Sequence, residues 1–281
     1  MKCNLCGGDH FEQLFYKAPF NRVRCTGCNL TTAATDLTRE QAKEFYDQHY
    51  FKGGMYYDYI KDEPIITRNA RARMLEINKI CPPGVCLDVG CAAGFFLNVA
   101  RSFGWETFGV ELSSYAAAYA QKELGLFVIN GVIEDSSSII PPQSLDLVTM
   151  WDFIEHVSDP MRVLQHANYL LKSGAFLALS TGDIDSVLAR LMGMHWRLFT
   201  PDHLYYFSQK TITMYLKRTG FELVSLGRQG RFVSLNLMFH QVFKSVKLPL
   251  PCLRRLKLPA LSLYINLWDV MTVIAKKING A

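Results

Sequence analysis

No apolar run in this sequence reaches the roughly 18 uninterrupted residues that suggest a membrane-spanning helix. No leader is visible either: Met1-Lys2-Cys3 runs straight into a polar, cysteine-containing stretch, so the expected setting is a reducing cytoplasm. A dinucleotide fingerprint of the form G-x-G-x-x-G is missing, which argues against a pyrophosphate cofactor. Acid is missing in one place above all. From Leu223 to Trp268 there is no Asp or Glu, while Arg228, Arg231, Lys244, Lys247, Arg254, Arg255 and Lys257 stand there. The whole 281-residue chain carries only +5, so its basicity is local.

What is present is organised around Val85–Leu97, V-C-L-D-V-G-C-A-A-G-F-F-L. A short apolar run ends in a glycine turn, and a helix-like apolar segment, Phe95 to Phe103, follows at once. That is strand, turn and helix, the opening unit of an α/β nucleotide-binding sheet. Gly90 and Gly94 permit the sharp turn, and Ala92 stands where a middle glycine is usual. Asp88 closes the strand where a pyrophosphate would be repelled, so the site suits a ligand with positive charge. Glu111 closes the next apolar strand, T-F-G-V-E, and can accept two hydrogen bonds from a ribose diol. Together the two acids favour S-adenosylmethionine.

Four of eight cysteines come early, as Cys3-x-x-Cys6 and Cys25-x-x-Cys28, with an 18-residue gap. Two such pairs read as a closed four-thiolate zinc site with a structural role. Loss of that metal is expected to unfold an N-terminal lobe alone. A helix is expected from Asp36 to about Tyr50, followed by Tyr46, Tyr50, Phe51, Tyr56, Tyr57 and Tyr59 as a lid or a hydrophobic cap. Ile65–Ile80 has helical spacing and ends at Pro82-Pro83-Gly84. Ser113 is a candidate N-cap for a helix over Ser114–Leu124, and Asp159-Pro160 opens another. Further strands are expected at Leu126–Ile129, Leu145–Trp151, Ala175–Ser180, Phe221–Leu226 and Met271–Lys276. Lys172-Ser173-Gly174 reads as a turn. Residues 227–268 form an insertion before the last strand. Its stretch 234–258 pairs an apolar helical stripe with unbalanced cations, consistent with a lid, a dimer contact or a peripheral contact with an anionic membrane.

These pieces resemble one family. L-D-V-G-C-A-A-G-F-F-L, G-V-E-L-S, W-D-F-I-E-H-V-S-D-P and H-L-Y-Y-F-S are similar to bacterial class I S-adenosylmethionine methyltransferases of the surface-polysaccharide and sugar-modifying type. The paired Cys-x-x-Cys is similar to the zinc-binding domain of sugar C-methyltransferases. The resemblance implies a Rossmann-like seven-stranded α/β sheet with a small N-terminal zinc ribbon. The divisions are residues 1–36 as zinc ribbon, 37–64 as linker and lid, and 65–281 as the methyltransferase domain. It implies a cofactor set of Asp88, Gly90, Cys91, Gly94, Phe95, Glu111, Leu112, Ile133, Glu134 and Trp151. Many family members place an acid after the glycine of G-V-I-E-D; here Val132 stands there, so adenine falls to backbone near Ile133 and Glu134 or to Glu134 or Asp135. His203 and His156 are the candidate bases, with Tyr205, Tyr206 and Trp196 around the acceptor. A small molecule, a sugar or a lipid-linked glycan is the expected acceptor, O- or C-methylated. The alternatives are a cofactor-binding adaptor without turnover and a nucleic-acid methyltransferase. The N-P-P-Y-type motif of amino-directed DNA enzymes is absent, so nucleic acid is not the expected partner.

Overall fold

The computed structural model describes residues 1–35, 59–234 and 262–278. The first strands are β1 (Phe11–Lys17), β2 (Phe20–Cys25) and β3 (Thr31–Ala33). Helix α1 (Glu63–Ile77) leads into β4 (Val85–Val89), and α2 (Phe95–Ser102) follows the glycine loop. Next come β5 (Glu106–Glu111), α3 (Ser114–Lys122), β6 (Phe127–Asn130) and a 3₁₀ turn over Ile133–Ser138. Strand β7 (Leu145–Trp151), helix α4 (Pro160–Leu170), strand β8 (Leu171–Gly182) and the short helix α5 (Val187–Met192) continue the chain. It ends with β9 (Tyr205–Tyr206), α6 (Gln209–Arg218), β10 (Phe221–Gly227), β11 (Arg231–Ser234), β12 (Ser262–Ile265) and β13 (Val270–Lys277).

Seven strands form one sheet in the order β10-β13-β8-β7-β4-β5-β6. Strands β4 to β8 are parallel, and β13 runs antiparallel to both its neighbours. This is the Rossmann-like seven-stranded sheet that the motifs led one to expect. The period-two alternation of a strand buries both faces. Leu87, Val148, Leu177 and Leu179 enter one core with Val163, Leu164, Ile212 and Tyr215 of α4 and α6. Their neighbours Cys86, Leu147 and Ala178 enter another with Ala70, Met74, Ile77, Phe96 and Val99 of α1 and α2. The parallel order puts the ends of β4, β5 and β7 on one edge, where ligands of such sheets bind.

Local signals held where a side chain fixes them. Ser113 accepts from the Ala116 amide and Asp159 from the Arg162 amide, each closing a helix start. The expected turn at Lys172–Gly174 is corrected: β8 begins at Leu171, and these residues bulge within it. The register against β7 shifts between Leu145–Leu171 and Leu147–Phe176, so the extra residues are extruded while pairing resumes. Lys172 reaches Asp146 from this bulge at 2.7 Å.

The ends of the insertion pair with each other as a ribbon, Arg231 opposite Ile265 and Ser234 opposite Ser262. The ribbon docks on α1, where the Asn69 amide both donates to the Phe232 carbonyl and accepts from its N–H. Arg68 stacks over the Phe232 ring at 3.5 Å. The expected helix over 36–50, most of the aromatic cluster and the apolar-basic stretch between 235 and 261 lie outside the described residues. Among the described residues no helix is long and apolar enough to cross a membrane.

Candidate active site

The glycine loop is built by backbone. The amides of Gly90 and Cys91 donate to the Val110 carbonyl at 2.8 and 3.1 Å, folding the loop against β5. Gly90 has φ +74°, and a Cβ there would stand 2.3 Å from the Phe153 ring. Gly94 has φ +81°, and a Cβ would stand 2.5 Å from Leu126. Both conformations and both close approaches require glycine. Ala92 adopts φ +47° without that freedom, a strained position that Glu111 helps to hold: the Ala92 amide donates to Glu111 Oε2 at 2.8 Å. Phe95 follows at the helix start, stacked on Tyr59 at 5.7 Å. Cys91 instead packs with Leu97, Ala117 and Val128.

Asp88 and Glu111 are both buried. The Thr149 hydroxyl donates to Asp88 Oδ1 at 2.6 Å across β4 and β7. Glu111 Oε1 accepts the Ser113 amide at 2.8 Å, so this carboxylate ties together the loops that follow β4 and β5. Replacing Glu111 by alanine removes both ties as well as the expected ribose contact. Hydrogen bonds to a charged group are each worth about 1.5–3 kcal/mol, so calorimetry should show S-adenosylmethionine affinity falling by about tenfold or more. Unchanged affinity would remove Glu111 from the cofactor site.

Burial pushes the Asp88 carboxyl up from 3.8 to about 7, against the pull of Thr149 and Arg73. Burial raises Glu111 in the same direction. A raised carboxyl keeps its proton in the folded chain after the unfolded chain has lost it. The contribution of Asp88 to stability is therefore full below about pH 4 and lost as pH rises towards 7. A ligand ammonium prefers the ionised form, so binding expels the proton and weakens as pH falls below 7. Titrations at pH 6 in buffers of different ionisation enthalpy should show net proton release. Buffer-independent heats would exclude an ammonium at Asp88.

Arg73 is the crevice residue that the sequence reading left unused. Its guanidinium lies 4.4 Å over the Trp151 ring and 3.6 Å from Asp152 Oδ2. Arg231 of the ribbon stands 3.7 Å from the same oxygen. Asp152 holds φ +49° directly after β7, and its Oδ1 accepts from the Ser180 hydroxyl. The signal was there in α1: Arg73 falls three after Ala70 and four before Ile77, on the buried stripe. Trp151 packs on Phe96 at 5.3 Å, and its indole N–H is buried with no partner among the described residues. Of the adenine candidates, Glu134 pairs with Arg162 at 2.8 Å and Ile133 is buried. Asp135 turns back to accept the Val132 amide.

The segment after β7 brings His156 beside His203, ring centroids 4.7 Å apart and edge to face. His156 Nδ1 lies 3.0 Å from the Asp202 carbonyl and 3.5 Å from its carboxylate. A carbonyl only accepts, so Nδ1 carries a proton. Burial, and then His156, push His203 down to about 3, so this ring is neutral at physiological pH. Burial raises Glu155 to about 7, and its Oε2 is buried without a partner among the described residues. Trp196 and Tyr206 do not line an opening. Both are buried, with the Trp196 N–H donated to Asp269 and the Tyr206 hydroxyl to the His203 carbonyl.

At the N-terminus two turns share one pattern. The Cys3 amide donates to the Gly8 carbonyl and the Gly7 amide to Cys3; the Cys25 amide donates to Leu30 and the Asn29 amide to Cys25. Gly7 and Asn29, each just after the second cysteine of its pair, have φ +79° and +65°. The four Sγ atoms lie within 4.8 Å of one another. Burial opposes ionisation of Cys25, but the amides of Cys28 and Gly27 outweigh it and bring the thiol down to about 7. Four converging sulfurs, one ionised near neutrality, fit a tetrahedral divalent metal.

Residues 63–226 match a family model described as a methyltransferase domain. A ubiquinone biosynthesis O-methyltransferase of Albidiferax ferrireducens is 29% identical over 116 residues, 39% of this chain and 46% of that protein. Its counterpart in Azoarcus sp. is 27% identical over 151 residues, 50% of this chain and 65% of that protein. The chain thus spans about half the length of the curated relatives it matches. Among solved structures, a SAM-dependent methyltransferase from Archaeoglobus fulgidus superimposes with a TM-score of 0.53 at 19% identity, covering 79% of this chain and 100% of that one. One from Thermotoga maritima gives 0.51 at 21% identity, covering 78% and 94%. Identities this low speak for the fold alone.

Proposed function

The chain belongs to the methyltransferase-domain family, and from that premise we propose that it transfers a methyl group from S-adenosylmethionine to a hydroxyl of a small molecule. One observation carries the reading. Two buried carboxylates, Asp88 and Glu111, flank a backbone-built loop at the ends of adjacent parallel strands, with His156, from the segment after the neighbouring strand β7, beside His203 from the segment before β9. The acids suit the ammonium and the ribose diol of the cofactor. The O-methyltransferase activity of the curated relatives favours oxygen as the acceptor atom. The sugar or lipid-linked glycan acceptor rests on the resemblance of the Cys-x-x-Cys pairs and H-L-Y-Y-F-S, and stays the second acceptor class.

In the transfer, the acceptor oxygen bonds to the methyl carbon as the carbon–sulfur bond breaks, and the hydroxyl proton passes to a base. Both histidines are proposed for the acceptor side. The carboxylate partner favours His156 as the base, because Asp202 orients the ring and stabilises the imidazolium that forms. His203 is its neutral neighbour, edge to face at 4.7 Å. Arg73 is proposed to meet the cofactor carboxylate. Cys3, Cys6, Cys25 and Cys28 are proposed to hold one structural zinc. The divisions at 1–36, 37–64 and 65–281, and a peripheral membrane contact through 234–258, are retained as proposals.

The test is calorimetry with S-adenosylmethionine, followed by mass-spectrometric product detection with quinol, catechol and nucleotide-sugar acceptors. Methylated quinol or catechol is the expected product, and methylated sugar would support the second class. Cofactor binding with no product from any acceptor would favour the adaptor. Absence of cofactor binding would overturn the reading.

A further inference from the structure

The four-cysteine module does not end at its own strands. Strand β3 pairs on its far side with β9, Thr31 opposite Tyr206 and Thr32 opposite Tyr205. The Ala33 amide and the Thr32 hydroxyl both donate to the Leu204 carbonyl, at 2.8 and 2.7 Å. From the other side, the amides of Leu204 and Tyr205 donate to the Glu155 carbonyl at 2.8 and 3.1 Å. The segment that directly follows His203 is therefore stitched between the N-terminal module and the loop that carries His156.

Arg22, on β2 and three residues before Cys25, is fully buried. Its Nε donates to the Tyr206 hydroxyl at 2.7 Å, Nη2 to the Thr200 carbonyl at 3.0 Å and Nη1 to the Phe20 carbonyl at 2.8 Å. The Tyr206 hydroxyl passes the contact on, donating to the His203 carbonyl at 2.9 Å. Among the described residues no carboxylate pairs with this guanidinium. A buried cation held only by carbonyls and a phenol costs stability, so its geometry serves another end. Nη1 also reaches the Lys17 carbonyl at 3.3 Å, and the two targets beyond the β1–β2 hairpin, Thr200 and Tyr206, bound a seven-residue segment that includes Asp202 and His203.

We infer that Arg22 is a positioning residue, which through Tyr206 and the Thr200 carbonyl sets the loop carrying Asp202 and His203. The N-terminal module is then a wall of the acceptor side and not an appendage. Its catalytic meaning rests on the histidine reading above, but the positioning itself does not. A lysine cannot replace Arg22, because one ammonium cannot reach Tyr206, Thr200 and Phe20 together.

The experiment uses the full chain with Arg22→Met, Arg22→Lys and Tyr206→Phe, the last removing only the hydroxyl of the relay. Hydrogen exchange reads the amides of Ala33, Leu204 and Tyr205, and imidazole NMR reads the His203 ring. His156, Asp202 and Asp152 face that ring. In the Arg22 variants, protection of the three amides should fall by about tenfold or more. The His203 titration should rise from about 3 towards the ordinary 6.5. Tyr206→Phe should shift both in the same direction by less, which guards against an Arg22 variant that fails to fold. Protection in β4 and β5 and affinity for S-adenosylmethionine should stay unchanged. If the amides and the ring keep their native behaviour in Arg22→Lys and Tyr206→Phe, or if protection falls equally across the sheet, the positioning role is overturned. If ring and amides move but turnover does not, Arg22 still positions the loop and the histidine reading fails instead.

Discussion

Replacing His156 by alanine is expected to cut turnover by roughly 10²–10⁴-fold, the range a positioned general base supplies, with cofactor affinity nearly intact. The geometry separates the two histidines. His156 donates Nδ1–H to the Asp202 carbonyl, with the Asp202 carboxylate 3.5 Å away, an arrangement that suits the base proposed above. His203 is half-buried, and desolvation pushes it down to about 3, so it takes a proton poorly at neutral pH. His203→Ala should therefore lower turnover less than His156→Ala, and Asp202→Asn should approach the His156 variant. The check is kcat and kcat/KM for all three, beside calorimetric affinity for S-adenosylmethionine. A larger loss for His203→Ala would exchange the roles. Loss of cofactor binding in both alanine variants would make the pair part of the cofactor pocket's frame.

The central sheet was legible because its information is local. Val85–Val89, Leu145–Trp151 and Phe221–Leu226 are apolar runs that end in glycine, aspartate or turn chemistry, and each became a strand. Asp88 and Glu111 were legible as well, because a strand end in a parallel sheet fixes where its last side chain must lie. What the sequence hid depends on distant partners. Tyr205 and Tyr206 form a strand only because β3 lies beside them, some 170 positions earlier. Arg73 was hidden beside Arg68 and Arg71 on the same helix until Trp151 and Asp152 showed that it is the one turned towards the strand end. The bulge at Lys172–Gly174 looks like a turn because glycine supplies the same φ in either setting. Arg22 carries no local signal, since nothing near it in sequence says that it is buried.

Changing Cys25 to serine is expected to abolish binding of the proposed zinc and lower the stability of the whole chain, not of an N-terminal lobe alone. Cys3, Leu5, Cys25, Cys28 and Leu30 belong to the same buried cluster as Leu87, Val148 and Leu177 of the sheet. Asn4, between the first two cysteines, donates to Asp159 at the start of α4 and accepts from the Tyr215 hydroxyl of α6 at 2.9 Å. Arg218 donates to the Leu5 carbonyl. A structural zinc site contributes on the order of 10 kcal/mol in isolated peptides. Retaining even a third of that coupling here would move the melting temperature of a chain this size by about 6 °C. The wild-type protein should carry one zinc per chain and melt in a single transition. Cys25→Ser, or wild type treated with a strong chelator, should carry none and melt in a single transition at lower temperature. Two separate transitions, with the upper one unmoved, would mean that the module folds independently of the sheet. Four freely titrating thiols in the native wild type, with no metal bound, would sink the zinc assignment itself.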